Sequence, residues 1–229
     1  MLNHFDTIDE VRNYMRRLYT YETLRKLSRD RGVKGQIERA RLRGKRVFYI
    51  VTRFGGHEIV VLQDEINSTA MPFVRFQDET NGGGMAFPVT NLENNNFRIM
   101  IIRGHAVERY VQRYIFHDEK HKVTPEEFVA AQLYIFENTH NVVPIWDDAT
   151  DAYLINLESG AFIVRQDDRC VLYQTYLPVS KMFANQRLAN GEAAKENKHL
   201  NETIGIDMLK LMAHDRIRVQ YEQYMRWKK

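Results

Sequence analysis

The chain has a single cysteine among its 229 residues, Cys170, so no internal disulfide can staple it. That excludes the small secreted scaffolds held by cystine frameworks. It points to a reducing compartment, the cytoplasm (or a phage particle assembled there), with Cys170 as a small strand hydrophobe. Long apolar runs are also missing. Val47–Val51 and Ile99–Ile102 are far shorter than the roughly 20 residues a membrane-spanning helix needs, so no membrane role is expected. The opening Met1-Leu-Asn-His-Phe-Asp6 has neither the basic start nor the apolar stretch of a secretory signal. There is no internal repeat. Gly82-Gly-Gly84 lacks the Gly-Lys-Ser/Thr ending of a phosphate loop, and neither a Gly-x-Ser-x-Gly elbow nor a zinc-protease helix is present. His117 and His121 have no Cys/His spacing to support them, and Asp147, Asp148, Asp151, Asp167 and Asp168 sit where turns are expected. No metal or cofactor is therefore anticipated.

What is present is ordinary in bulk and uneven in detail. With 44% hydrophobic and 28% charged residues, the chain has room for one large or two small domains and a sizeable core. Net charge is only +3, yet residues 11–46 hold 13 Arg and Lys against Glu22, Asp30 and Glu38, a local balance of 13 − 3 = +10. A basic block of that size suits nucleic acid or another anionic surface, or an acidic protein. Tyr14, Tyr19 and Tyr21 are interleaved and available either to stack on bases or to pack.

The periodicity divides the chain into a basic helical segment (1–45), a β-rich region (46–101), an α+β unit (102–177) and a helical C-terminal arm (178–229). Residues 8–29 read as one amphipathic helix or two, and 34–43 as a further short basic helix. Residues 46–54 and 57–63 flank Gly55-Gly56 as a hairpin, and 70–77 and 97–103 are strands. A helix over 104–117 is followed by Thr124-Pro-Glu-Glu127, a capping box that opens a helix to about Asn138. Four short strands then follow at 142–145, 152–157, 161–166 and 170–177, with connections that allow only an antiparallel meander. The expected fold is α+β: two helices packed on that four-stranded meander. Beyond it, 179–190 and 201–227 read as helices joined by a polar linker, the last offering a surface for a protein partner.

The stretch Arg103-Gly-His-Ala-Val-Glu-Arg-Tyr-Val-Gln-Arg113 carries the chemistry. On a helix, His105, Arg109 and Arg113 fall at about 0°, 40° and 80°, with Gln112 beside them and an apolar face opposite. An imidazole, which ordinarily titrates near pH 6.5, in a row with two permanent cations suits work on a phosphodiester. A solvated polar face gives the same pattern.

The order of elements over 102–177, with His105-Ala-x-x-Arg109-x-x-x-Arg113 on the first helix and Gln174-Thr-Tyr176 closing the last strand, resembles the barnase/EndoU/colicin/RelE group of ribonuclease-like toxin domains. The resemblance covers about a third of the chain and implies a larger bacterial or phage protein that acts on RNA without metal. It implies His105, Arg109, Arg113 and Thr175 as catalytic groups. Gln112, Arg165 and Tyr176 would bind substrate. The expected function is metal-independent endoribonuclease or ribonuclease-derived RNA-binding protein. The alternative is a structural or assembly protein, such as a phage-particle component, that uses the scaffold for protein contacts.

Overall fold

Three side-chain caps break the basic N-terminal segment into three helices. Thr7 accepts from the Glu10 N–H, Thr20 from Thr23 and Asp30 from Val33, opening α1 (Ile8–Leu18), α2 (Tyr21–Arg29) and α3 (Arg31–Leu42). Each buries a narrow apolar stripe, chiefly Val11, Met15 and Leu18, then Leu27, then Val33, and leaves its arginines in solvent except Arg12, which donates to Phe97 O at 2.7 Å. The computed structural model describes residues 3–43, 47–64, 71–77, 83–89, 97–139, 142, 144–148 and 150–204.

The strands are β1 (Asn3–His4), β2 (Val47–Phe54), β3 (His57–Asp64), β4 (Met71–Gln77), β5 (Gly84–Pro88) and β6 (Ile99–Arg103). After α4 (Gly104–Tyr110), a π-turn over Val111–Ile115 and α5 (Pro125–Thr139) come β7 (Ile145–Asp147), β8 (Ala152–Leu157), β9 (Gly160–Gln166) and β10 (Cys170–Pro178). A 3-10 turn (Val179–Lys181) leads to α6 (Ala184–Ile204). All the strands join one ten-stranded sheet, ordered β2-β3-β4-β5-β6-β10-β9-β8-β7, with β1 alongside β4.

That sheet corrects the expected fold. The protein is not two helices on a four-stranded meander, because the inner edge of β10 is occupied by β6, running parallel to it from Cys170 opposite Ile99 to Tyr173 opposite Ile102. β6 carries the sheet on through β5, β4 and β3 to β2. The physical reason lies in β6 itself. Every residue from Ile99 to Arg103 is buried, so the strand must be paired on both edges and covered on both faces.

Strand alternation sends side chains to two cores. On one face, Met100, Ile102, Phe87, Phe73, Val164, Tyr173 and Tyr176 pack under α4 and α5 through Ala106, Val107, Tyr110, Leu133 and Phe136. On the other face, Ile99, Ile101, Ala86, Val74 and Phe76 pack under α1–α3. Further along that second face, Leu154 and Ala161 meet Met182 beside α6. Each fully buried large side chain contributes about 1.5–3 kcal/mol by leaving water.

Two helical expectations also change. The 104–117 helix widens at Val111 into the π-turn, with the Phe116 N–H donating to Val111 O at 3.0 Å. Residues 190–200, expected as a linker, lie inside α6, where Asn190 and Asn197 donate to the carbonyls of Leu157 and Asn156. The 201–227 helix lies outside the described residues beyond Ile204. Among the described residues no helix is long and apolar enough to cross a membrane.

Candidate phosphate-binding site at the ends of two parallel strands

The parallel pair β6 and β10 separates at its carboxyl end. β6 stops at Arg103 and turns into α4 on one face, while β10 continues to Pro178 and leads to α6 on the other. Strands whose following helices leave on opposite faces open a crevice between them, as at the switch points where parallel α/β sheets bind ligands. On its other edge β10 carries a register shift against β9 between Tyr173 and Thr175, at the level where β6 ends. The result is an open cavity of about 530 Å³ lined by Arg103, His105, Leu172, Gln174 and Thr175.

Arg103 is the buried member, 7% exposed. It shares a sheet face with Ile101, and its guanidinium lies 5.8 Å from the centre of the Phe76 ring. It crosses β5 at Gly84, which stands opposite both Phe76 and Arg103 in the ladder and has no side chain to obstruct the passage. Burial pulls the Arg103 pKa below its ordinary value, since a desolvated cation loses hydration, while the Cys170 thiol acts in the opposite direction. His105 is exposed at the start of α4, whose first N–H, on Gly104, donates to Gly83 O at 3.0 Å.

The structure brings some predicted residues together and separates others. His105 and Thr175 share the cavity. Arg113 does not line it: its Nη1 donates to Tyr176 O at 2.9 Å, and its Nε lies 3.5 Å from Glu119. Lys181 bonds Glu119 from across the turn, and Lys181, with Arg113 and Arg109, holds that carboxyl below the usual carboxylate range. The two guanidiniums of the row therefore share a neighbouring acid. Gln112 is turned to the loop and donates to His121 O at 3.0 Å. Tyr176 is wholly buried edge-on to Tyr110 at 5.0 Å, and burial pushes its phenol pKa up. Arg165 is exposed on β9 opposite Leu172, on the same sheet face as the cavity but outside its lining.

Arg103, Leu172 and Gln174 also line the cavity and were not among the candidates drawn from the sequence. The available signal was a cation ending the otherwise apolar strand Ile99-Met-Ile-Ile-Arg103, which has to be buried with its strand. Among the described residues no group of three His, Cys, Asp or Glu side chains is placed to hold a metal ion.

Fold and cavity together define a mixed α/β protein with an anion-suited crevice at the split between two parallel strands. The chain matches no family model, no curated protein and no solved structure.

Proposed function

We propose that this chain is a ribonuclease-derived RNA-binding protein that seats one backbone phosphate between Arg103, His105 and Thr175. The observation that carries the reading is a half-buried cationic cavity built at a strand split. A guanidinium grips two phosphate oxygens at once, and in a desolvated site each such bond is stronger than in water. Thr175 and Gln174 add neutral donors, and the exposed arginines of α1–α3 attract a polyanion to that face of the sheet.

Binding fits better than cleavage. Displacement by a ribose 2′-hydroxyl needs a base for that hydroxyl and an acid for the leaving 5′-oxygen. Among the described residues His105 is the one imidazole lining the cavity, and the other described lining groups exchange no proton near neutrality. The row of His105, Arg109 and Arg113 is divided between the cavity and the structural contacts of Arg113.

The test is fluorescence anisotropy with a labelled unstructured RNA in excess EDTA, with a denaturing gel run on the same samples. Arg103→Gln is expected to weaken binding roughly ten- to a hundredfold, the loss of a charge-assisted pair, with the RNA uncut. Equal affinity of the parent and Arg103→Gln overturns the reading. Cleavage by the parent that His105→Ala abolishes would make the protein a ribonuclease. No RNA affinity at low salt would favour the assembly role.

A further inference from the structure

A line of contacts leads out of the cavity towards α1. Phe76, against which Arg103 lies, meets Phe5 edge-on at 6.2 Å. Phe5 stacks on His57 at 5.6 Å with the planes 10° apart, and Tyr14 of α1 lies 4.2 Å from His57. Arg17 follows Tyr14 by three residues on α1, so the two side chains lie on neighbouring turns of one helix face, and burial first, then the Arg17 charge, lowers the His57 pKa. Phe5 and Phe76 are buried and form a floor, Tyr14 and His57 are half-buried above it, and Arg17 is exposed at the far end.

From this arrangement we infer that the bound nucleic acid is single-stranded RNA whose next few nucleotides run from the Arg103 cavity across Tyr14 and His57 to Arg17. The inference rests on the reading of the cavity as a phosphate site. An aromatic surface between two cations matches a single strand, whose unpaired bases have free faces to stack while the flanking phosphates meet the cations. A duplex offers no free base faces, and its evenly spaced phosphates would leave the aromatic stretch unused. The other cations of α2 and α3 attract the strand over distance without fixing its path.

The experiment uses the full chain and two labelled single-stranded RNAs, one of roughly four nucleotides and one of about twelve, with a duplex of the longer sequence for comparison. Arg17→Gln is expected to weaken the longer RNA roughly three- to tenfold and to make its salt slope shallower by about 0.7, one phosphate contact, while leaving the short RNA unchanged. Lys26→Gln on α2, whose ammonium is already paired with Glu22 at 2.7 Å, removes only long-range attraction and lowers either affinity by less than about twofold. Arg103→Gln weakens both, and the duplex binds less tightly than the strand.

If Arg103→Gln weakens both RNAs but Arg17→Gln weakens neither, or Lys26→Gln costs as much as Arg17→Gln, the path is wrong and the cavity stands. Tighter binding of the duplex also overturns the path. If Arg103→Gln weakens neither RNA, the cavity reading itself fails. Thermal melts check that each variant folds. Should Arg103→Gln unfold, exposed His105→Ala takes its place in the same comparison.

Discussion

Arg113 closes the edge of β10 where β6 no longer accompanies it, donating from Nη1 to the main-chain carbonyl of Tyr176 at 2.9 Å. An edge carbonyl in a nearly buried setting needs a donor, and the helix that replaces the strand supplies one. The motif that resembles a catalytic row thus does structural work at its C-terminal end. Arg113→Met is expected to lower stability by about 1–3 kcal/mol, the cost of an unsatisfied buried acceptor, and to leave RNA affinity within about twofold. Urea unfolding and anisotropy on the same preparation check both halves. A large loss of affinity with unchanged stability would return Arg113 to the binding site.

Gly84 holds open the passage that Arg103 crosses. A Cβ there would lie 2.8 Å from the Ile102 carbonyl oxygen and 3.4 Å from Arg103 Cα, both backbone atoms that cannot swing away. Gly84→Ala should force β5 and β6 apart, costing about 1–3 kcal/mol and weakening RNA binding together with stability. A variant as stable and as tight as the parent would show that the strands have slack at this point.

Glu127 organises the entrance to α5 from a fully buried position. Its Oε2 accepts from the Thr124 N–H at 2.8 Å and lies 3.0 Å from His121 Nε2, while His121 stacks on Phe116 at 3.6 Å. Glu127→Ala removes the cap and the anchor of His121 together and is expected to cost about 2–4 kcal/mol. Chemical denaturation measures the loss, and near-UV circular dichroism reports the freed aromatic stack. A cost below that of an ordinary surface substitution would refute the arrangement.

Asp167 ties the β9–β10 turn. Burial alone would raise its pKa, but the N–H groups of Cys170 and Arg169 and the Arg169 guanidinium together lower it. Because the folded value lies below the unfolded one, the stabilisation is present above the unfolded pKa of about 3.9 and is lost as pH falls through the folded value. The stability difference between the parent and Asp167→Ala should therefore be constant from pH 7 to about 5 and shrink towards zero below about pH 4. A difference that persists into strong acid would mean that the carboxylate charge contributes nothing.

Much of the local structure was legible in the residues. The Thr124 box, the Gly55-Gly56 hairpin and the short β7–β10 connections depend on a few neighbouring side chains, and such signals survive in any tertiary context. The polar run 190–200 misled because composition was read as solvent exposure. Its Ala, Glu and Lys residues are good helix formers, and its asparagines find carbonyl partners on β8. His105 and Thr175, which the motif named, line the cavity, whereas Arg103 entered the reading only as the end of a strand.

Apart from the helix over 190–200 and the strands β1 and β5, the residues alone showed most of the helices and strands, the caps and turns that interrupt them and the place where positive charge accumulates. These follow from interactions among residues close in the chain. Tertiary structure alone decided that β6 pairs parallel with β10, more than sixty residues later, and so merged two expected regions into one sheet with a cavity at its split. Pairing between distant strands is chosen by how completely each can bury its faces and satisfy its edges. That quantity belongs to the assembled sheet and is written in no single segment.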